Sequence, residues 1–139
     1  MGTNFYYYED PEVTDIEDES VLHIGKSSCG WCFSLRVYPS RGIHDLEDWE
    51  RKWDEGGIIR DEYEAEVPVE EMKSIITERS YSERDFTFSW TYGYMGKRDF
   101  LEKNCAVEGP NNLLRHKISP GFCIGHGEGT WDLLDCEFS

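Results

Sequence analysis

The stretch Trp31-Cys32-Phe33-Ser34-Leu35-Arg36-Val37-Tyr38 alternates apolar and polar side chains, and Pro39 and Gly42 close it. A period of two places Trp31, Phe33, Leu35 and Val37 on one face of a β-strand. The period then changes. Across 44–55, Leu46, Trp49 and Trp53 recur at helical spacing, His44-Asp45 supplies a cap and Gly56-Gly57 a stop. A strand followed directly by an amphipathic helix calls for a sheet with helices packed on it.

Reading outward, Thr3-Asn4-Phe5-Tyr6-Tyr7-Tyr8 predicts a first strand, and Val21-Leu22-His23-Ile24 a short second one ending at Gly25. Lys26 to Gly30 then form a turn. Ile58-Ile59 restart a strand, and Pro68 with Val69, Met72, Ile75 and Ile76 predicts a second helix to about Arg79. Further strands are expected at 86–92, 113–118, 122–124 and 131–138, with 93–112 rich in loop. Between the first two strands, seven acidic residues fall from Glu9 to Glu19. Their repulsion and low apolarity predict a mobile loop at about 9–20. The expected fold is α+β: one domain over 1–139, a mostly antiparallel sheet with two inserted helices.

The chain of 139 residues is 38% hydrophobic and 14% aromatic, enough for a single core. No apolar run reaches the roughly 18 to 20 residues that cross a bilayer. Met1-Gly2-Thr3-Asn4 lacks the basic flank and apolar stretch of a secretory signal. The formal net charge of −15 argues against direct binding of nucleic acid or an anionic membrane, whose counterions basic side chains must replace. Most of that charge sits at 45–71, where Arg51, Lys52 and Arg60 face twelve acids, a net −9. Such a field steers a basic partner; it is equally the pattern of a solvated helix face.

Five cysteines, an odd number with no signal peptide, point to a reducing cytoplasm rather than a disulfide framework. Cys29 and Cys32 have C-x-x-C spacing but lack a second ligand pair, so core or turn cysteines are expected and no metal. Gly25-Lys26-Ser27 matches only the tail of a phosphate-binding loop. Ser20 stands where the leading glycine belongs, and a strand follows where a helix is required. What remains is a polar turn with Lys26, Ser27 and Ser28 facing outward, read either as an ordinary β-turn or as a contact for an anionic or carbonyl group. In Gly125-His126-Gly127-Glu128-Gly129-Thr130, an extended backbone would align His126, Glu128 and Thr130, a pairing suited to acid–base work. A glycine-rich hairpin loop explains the same letters. His23 and His126 converge if strands 21–24 and 131–138 pair. No nucleophile motif is present, and neither a catalytic residue nor a cofactor is expected.

The segment His23-Ile24-Gly25-Lys26-Ser27-Ser28-Cys29-Gly30-Trp31-Cys32-Phe33-Ser34 resembles a family of small uncharacterised proteins of tailed bacteriophages and prophages. So do Met1-Gly2-Thr3-Asn4, the Gly42-Ile43 to Trp49 stretch, and Gly125 to Asp132. Many members carry a C-x-x-C where this chain has the acids of 9–20. The resemblance implies a phage origin, a host-cytoplasm setting and a role against host functions. The expected partner is a host bacterial protein with a basic surface, from defence or nucleic-acid handling, inhibited through Asp45, Glu47, Asp48, Asp54, Asp61 and Glu62. The alternative is a small enzyme or binding protein for a nucleotide-like small molecule, held by His23, Lys26, Ser27, Ser28, His126 and Glu128.

Overall fold

Residues 33–36 of the strand expected at 31–38 lie in the interior of a sheet of eight strands among the described residues. In a computed structural model, residues 2–28, 33–78, 102, 106–108, 113–115 and 131–138 are described. The strands are β1 (Gly2–Tyr8), β2 (Val21–Ser28), β3 (Phe33–Arg36), β4 (Ile58–Asp61), β5 (Glu66–Val67), β6 (Ala106–Glu108), β7 (Leu113–Arg115) and β8 (Trp131–Leu134). Their order across the sheet is β5-β4-β1-β2-β3-β8-β7-β6. Neighbours pair antiparallel except at β3–β8 and β7–β8, which are parallel. The fold is therefore α+β with a mixed, mostly antiparallel sheet. Helix α1 (Leu46–Trp53) is inserted between β3 and β4, and α2 (Val69–Glu78) between β5 and β6.

Helix α1 buries all three residues its periodicity selects, and α2 buries Met72 and Ile76 while Val69 and Ile75 are partly buried. Leu46, Trp49 and Trp53 of α1, with Met72 and Ile76 of α2, pack into one core with Phe5, Tyr7, Leu22, Ile24, Leu35 and Ile59 from the sheet. Asp45 caps α1 by accepting from the Asp48 backbone N–H at 2.9 Å. The Trp49 indole N–H donates to the Arg36 carbonyl at 2.7 Å, which ties helix to sheet.

Besides the early ends of β3 at Arg36 and β8 at Leu134, short of 38 and 138, and the unexpected short strand β5, two features differ from the expectation. β2 does not end at Gly25 but runs on to Ser28, so Lys26, Ser27 and Ser28 belong to a strand and not to a turn. Gly25 is a bulge. Phe5 faces Gly25 while the next residue, Tyr6, faces His23, leaving Ile24 over. A side chain at Gly25 would run into the Ser34 carbonyl oxygen and come within 2.5 Å of Phe33 Cε1, so glycine is what lets β3 lie alongside. Ser27 is consequently 1% exposed and does not face outward. The other difference is β6, a strand inside the stretch expected to be loop-rich. The strands expected at 86–92 and 122–124 lie outside the described residues. Among the described residues, no helix is long and apolar enough to cross a membrane.

Candidate functional site

Alternation along β2 puts His23 on the face opposite Leu22 and Ile24, which pack in the core with the helices. Its ring lies between Tyr6, 5.2 Å away, and Phe138, 4.6 Å away, measured between centroids. The His23 backbone N–H donates to the Tyr38 hydroxyl at 2.9 Å, and that hydroxyl lies 3.2 Å from the His23 carbonyl. His23 Nε2 is 2.8 Å from Asn4 Oδ1. Glu62 Oε1 accepts from the Asn4 backbone N–H at 2.7 Å and from Asn4 Nδ2 at 3.3 Å. A carboxylate only accepts, so the amide turns Nδ2 to Glu62 and Oδ1 to the ring, and His23 Nε2 must carry the proton. Burial first, then the Arg36 charge and more weakly that of Lys26, lower the His23 pKa from 6.5 to about 4, against an opposing Gly25 backbone interaction. At neutral pH His23 is thus a neutral donor and a ring wall.

These side chains border an open cleft of about 380 Å³ lined by Tyr6, His23, Arg36, Glu137 and Phe138. Arg36 lies with its guanidinium carbon 4.6 Å from the Tyr38 ring centroid. Its Nε is sealed from solvent with no acceptor among the described residues. Of the described residues expected to bind a small molecule, only His23 lines this cleft. Lys26 faces Asn4 and Ser34 across neighbouring strands, and Ser27 is buried. β2 and β8 do not pair, because β3 lies between them. The C-terminal segment still reaches His23, through Phe138. His126, Glu128, Cys29 and Cys32 lie outside the described residues. Among the described residues, no three His, Cys, Asp or Glu side chains cluster to hold a metal.

The acids form a second feature, and the fold sorts them. Asp45 caps α1, and Asp48 accepts from the His44 N–H at 2.8 Å and pairs with Arg51. Asp61 Oδ1 accepts from the Tyr63 N–H at 2.8 Å and the Ala65 N–H at 3.0 Å, shaping the β4–β5 turn. Glu62 holds Asn4. These four are engaged within the protein, whereas Glu47 and Asp54 are exposed. Of the three cations at 45–71, Arg51 stays 69% exposed, while Lys52 and Arg60 are drawn to the 9–20 segment. Lys52 Nζ lies 2.6 Å from Glu9 and 3.2 Å from Glu55. Arg60 donates to the Val13 carbonyl at 2.8 Å and the Pro11 carbonyl at 2.7 Å, with its guanidinium 4.4 Å from the Tyr8 ring centroid.

Arg60 and Lys52 thereby bring the 9–20 segment against the end of α1 and the β4–β5 turn. Thr14 and Glu64 border one hollow of about 150 Å³ together with Arg60. The segment itself is a series of turns in which Asp10, Asp15 and Asp18 each accept from the backbone N–H two residues on, at 2.9 Å. Ile16, 43% exposed, and Tyr63, 73% exposed, are the large hydrophobic side chains left facing solvent among the described residues. Reasoning from sequence missed Arg36, Tyr6, Phe138, Arg60 and Tyr63. Only Arg36 carried a signal, as a charge inside the best strand. Comparison of the chain with family models, with curated proteins and with solved structures gives no match.

Proposed function

We propose that the protein is a bacteriophage-encoded accessory protein that binds a basic surface of a host protein of defence or nucleic-acid handling, and inhibits it. One observation carries this reading: two acidic segments distant in sequence meet on one surface, with Lys52 and Arg60 drawn into it as ties. The outward field is therefore left negative, and it steers a basic partner and suppresses acidic ones. Ile16 and Tyr63 supply what charge alone does not. An aromatic group on a polar surface is a typical interface anchor, and it converts a salt-sensitive encounter into a specific contact. The phage origin and the host-cytoplasm setting rest on the resemblance of the His23–Ser34 and Gly125–Asp132 segments. The acids suited to the contact are Asp54, Glu55, Glu64 and Glu66 with those of the 9–20 segment, all exposed.

The test is capture from bacterial lysate on the immobilised protein, beside Tyr63→Ala and a combined Asp54→Asn, Glu64→Gln, Glu66→Gln variant. The expected result is a partner held at low salt, released as salt rises, and lost from both variants. Capture of the same proteins by wild type and by both variants overturns the reading.

A further inference from the structure

We propose that the cleft between Tyr6, Arg36 and Phe138 binds a small aromatic carboxylate of single-ring size. Its carboxylate would lie on the Arg36 guanidinium, its ring against Phe138 and Tyr6, and a donor substituent toward Glu137. This site is separate from the acidic surface and does not depend on its partner.

Volume sets the scale. About 380 Å³ lies near the lower end of the range for small-molecule sites, which suits one ring and its substituents. Charge sets the type. Arg36 makes no ion pair among the described residues. One side of its guanidinium lies by Tyr38, and Nε is sealed without an acceptor among the described residues, so the terminal amines are the donors turned to a ligand. A planar fork of amines matches a carboxylate in geometry as well as in charge. His23, held neutral, adds no second cation, so among the described residues Arg36 is the cation and Glu137 the carboxylate of the lining. Among the described residues, a polyphosphate would meet one cation and one anion of the lining, within an overall charge of −15. A monoanion bearing an amino or hydroxyl group satisfies both side chains. The aromatic side chains of the lining then supply stacking contact, worth most when the ligand is itself a flat ring.

The test is calorimetric titration of the full chain with 4-aminobenzoate, with aniline, cyclohexanecarboxylate and inorganic phosphate as separate arms. Saturable binding of 4-aminobenzoate at one site is expected. Removing either the carboxylate (aniline) or its partner (Arg36→Gln) should weaken it at least about tenfold, the loss of one charge-assisted pair. Phe138→Leu, near the chain end, should weaken 4-aminobenzoate but leave cyclohexanecarboxylate unchanged. Circular dichroism and melting confirm that each variant is folded. The proposal is overturned by absence of saturable binding, by equal affinity in folded Arg36→Gln, or by inorganic phosphate binding as tightly as the ring carboxylate.

Discussion

His23 Nε2 and Asn4 Oδ1 are 2.8 Å apart, and the proton between them belongs to the histidine, because Asn4 Nδ2 is committed to Glu62. The ring is therefore built into the sheet in its neutral form. Its pKa falls from 6.5 to about 4 on folding, so between those values the unfolded chain binds a proton that the folded chain refuses. Stability from this group is complete above about pH 6.5, declines as pH falls toward 4, and is lost below it. By linkage the loss is on the order of 3 kcal/mol. Subtracting the stability–pH curve of His23→Gln, which keeps a donor to Asn4, from that of wild type should isolate the effect. Ring NMR should place the His23 midpoint near 4; a midpoint at the ordinary histidine value would refute the burial argument.

Gly25 is the one residue whose substitution should dismantle this arrangement. A Cβ there meets the Ser34 backbone oxygen and Phe33 Cε1, the latter at 2.5 Å, and backbone in a sheet interior cannot give way cheaply. Gly25→Ala should cost more than about 3 kcal/mol or abolish folding, as overpacking with backbone displacement does. Gly42→Ala serves as control, since nothing lies within 4 Å of its Cβ position and only its φ of 76° opposes the change. Urea unfolding of the two variants should separate the effects by a wide margin.

Arg60 should govern the 9–20 segment without being part of it. Its two donations to the Pro11 and Val13 carbonyls and its contact with the Tyr8 ring are the ties from β4. Arg60→Gln is expected to cost about 2 kcal/mol, the scale of charged hydrogen bonds at a half-buried site. Amide exchange should accelerate at residues 10–20 and stay unchanged in α1. Uniform acceleration across the molecule would show that Arg60 acts on global stability alone.

Legibility in the sequence follows the range of the interactions involved. The strand at 33–36 and both helices declare themselves because periodicity is local: Phe33 and Leu35, or Leu46, Trp49 and Trp53, need only their neighbours to define a face. Gly25 misleads for the opposite reason. A glycine after four strand-like residues reads as a terminator, and its role as a bulge depends on Phe33 and Ser34 approaching from another strand. The cleft is equally hidden. His23 is visible as a titratable residue in a strand, but its walls are Tyr6 and Phe138, from the two ends of the chain. The acidic surplus is plain in the composition, whereas the distinction between Asp61, which holds a turn, and Glu64, which faces solvent, exists only once β4 and β5 pair.

That distinction can be tested within a single helix. Asp45 and Glu47 are both exposed acids at the start of α1, and both interact favourably with its N-terminal dipole. Only Asp45 caps it. Asp45→Ala should therefore cost about 1 kcal/mol, the usual value of an N-cap. At Glu47 the loss of the dipole term opposes relief from the surrounding negative charge, so Glu47→Gln should stay within about 0.5 kcal/mol of wild type. Salt sharpens the contrast. Screening weakens repulsion among the surplus acids, so added sodium chloride should raise the melting temperature of wild type, while the deficit of Asp45→Ala persists because a direct hydrogen bond is screened little. Equal destabilisation by the two substitutions, vanishing together at high salt, would mean that both carboxylates act only through the helix dipole and that the Asp45 to Asp48 N–H contact contributes nothing.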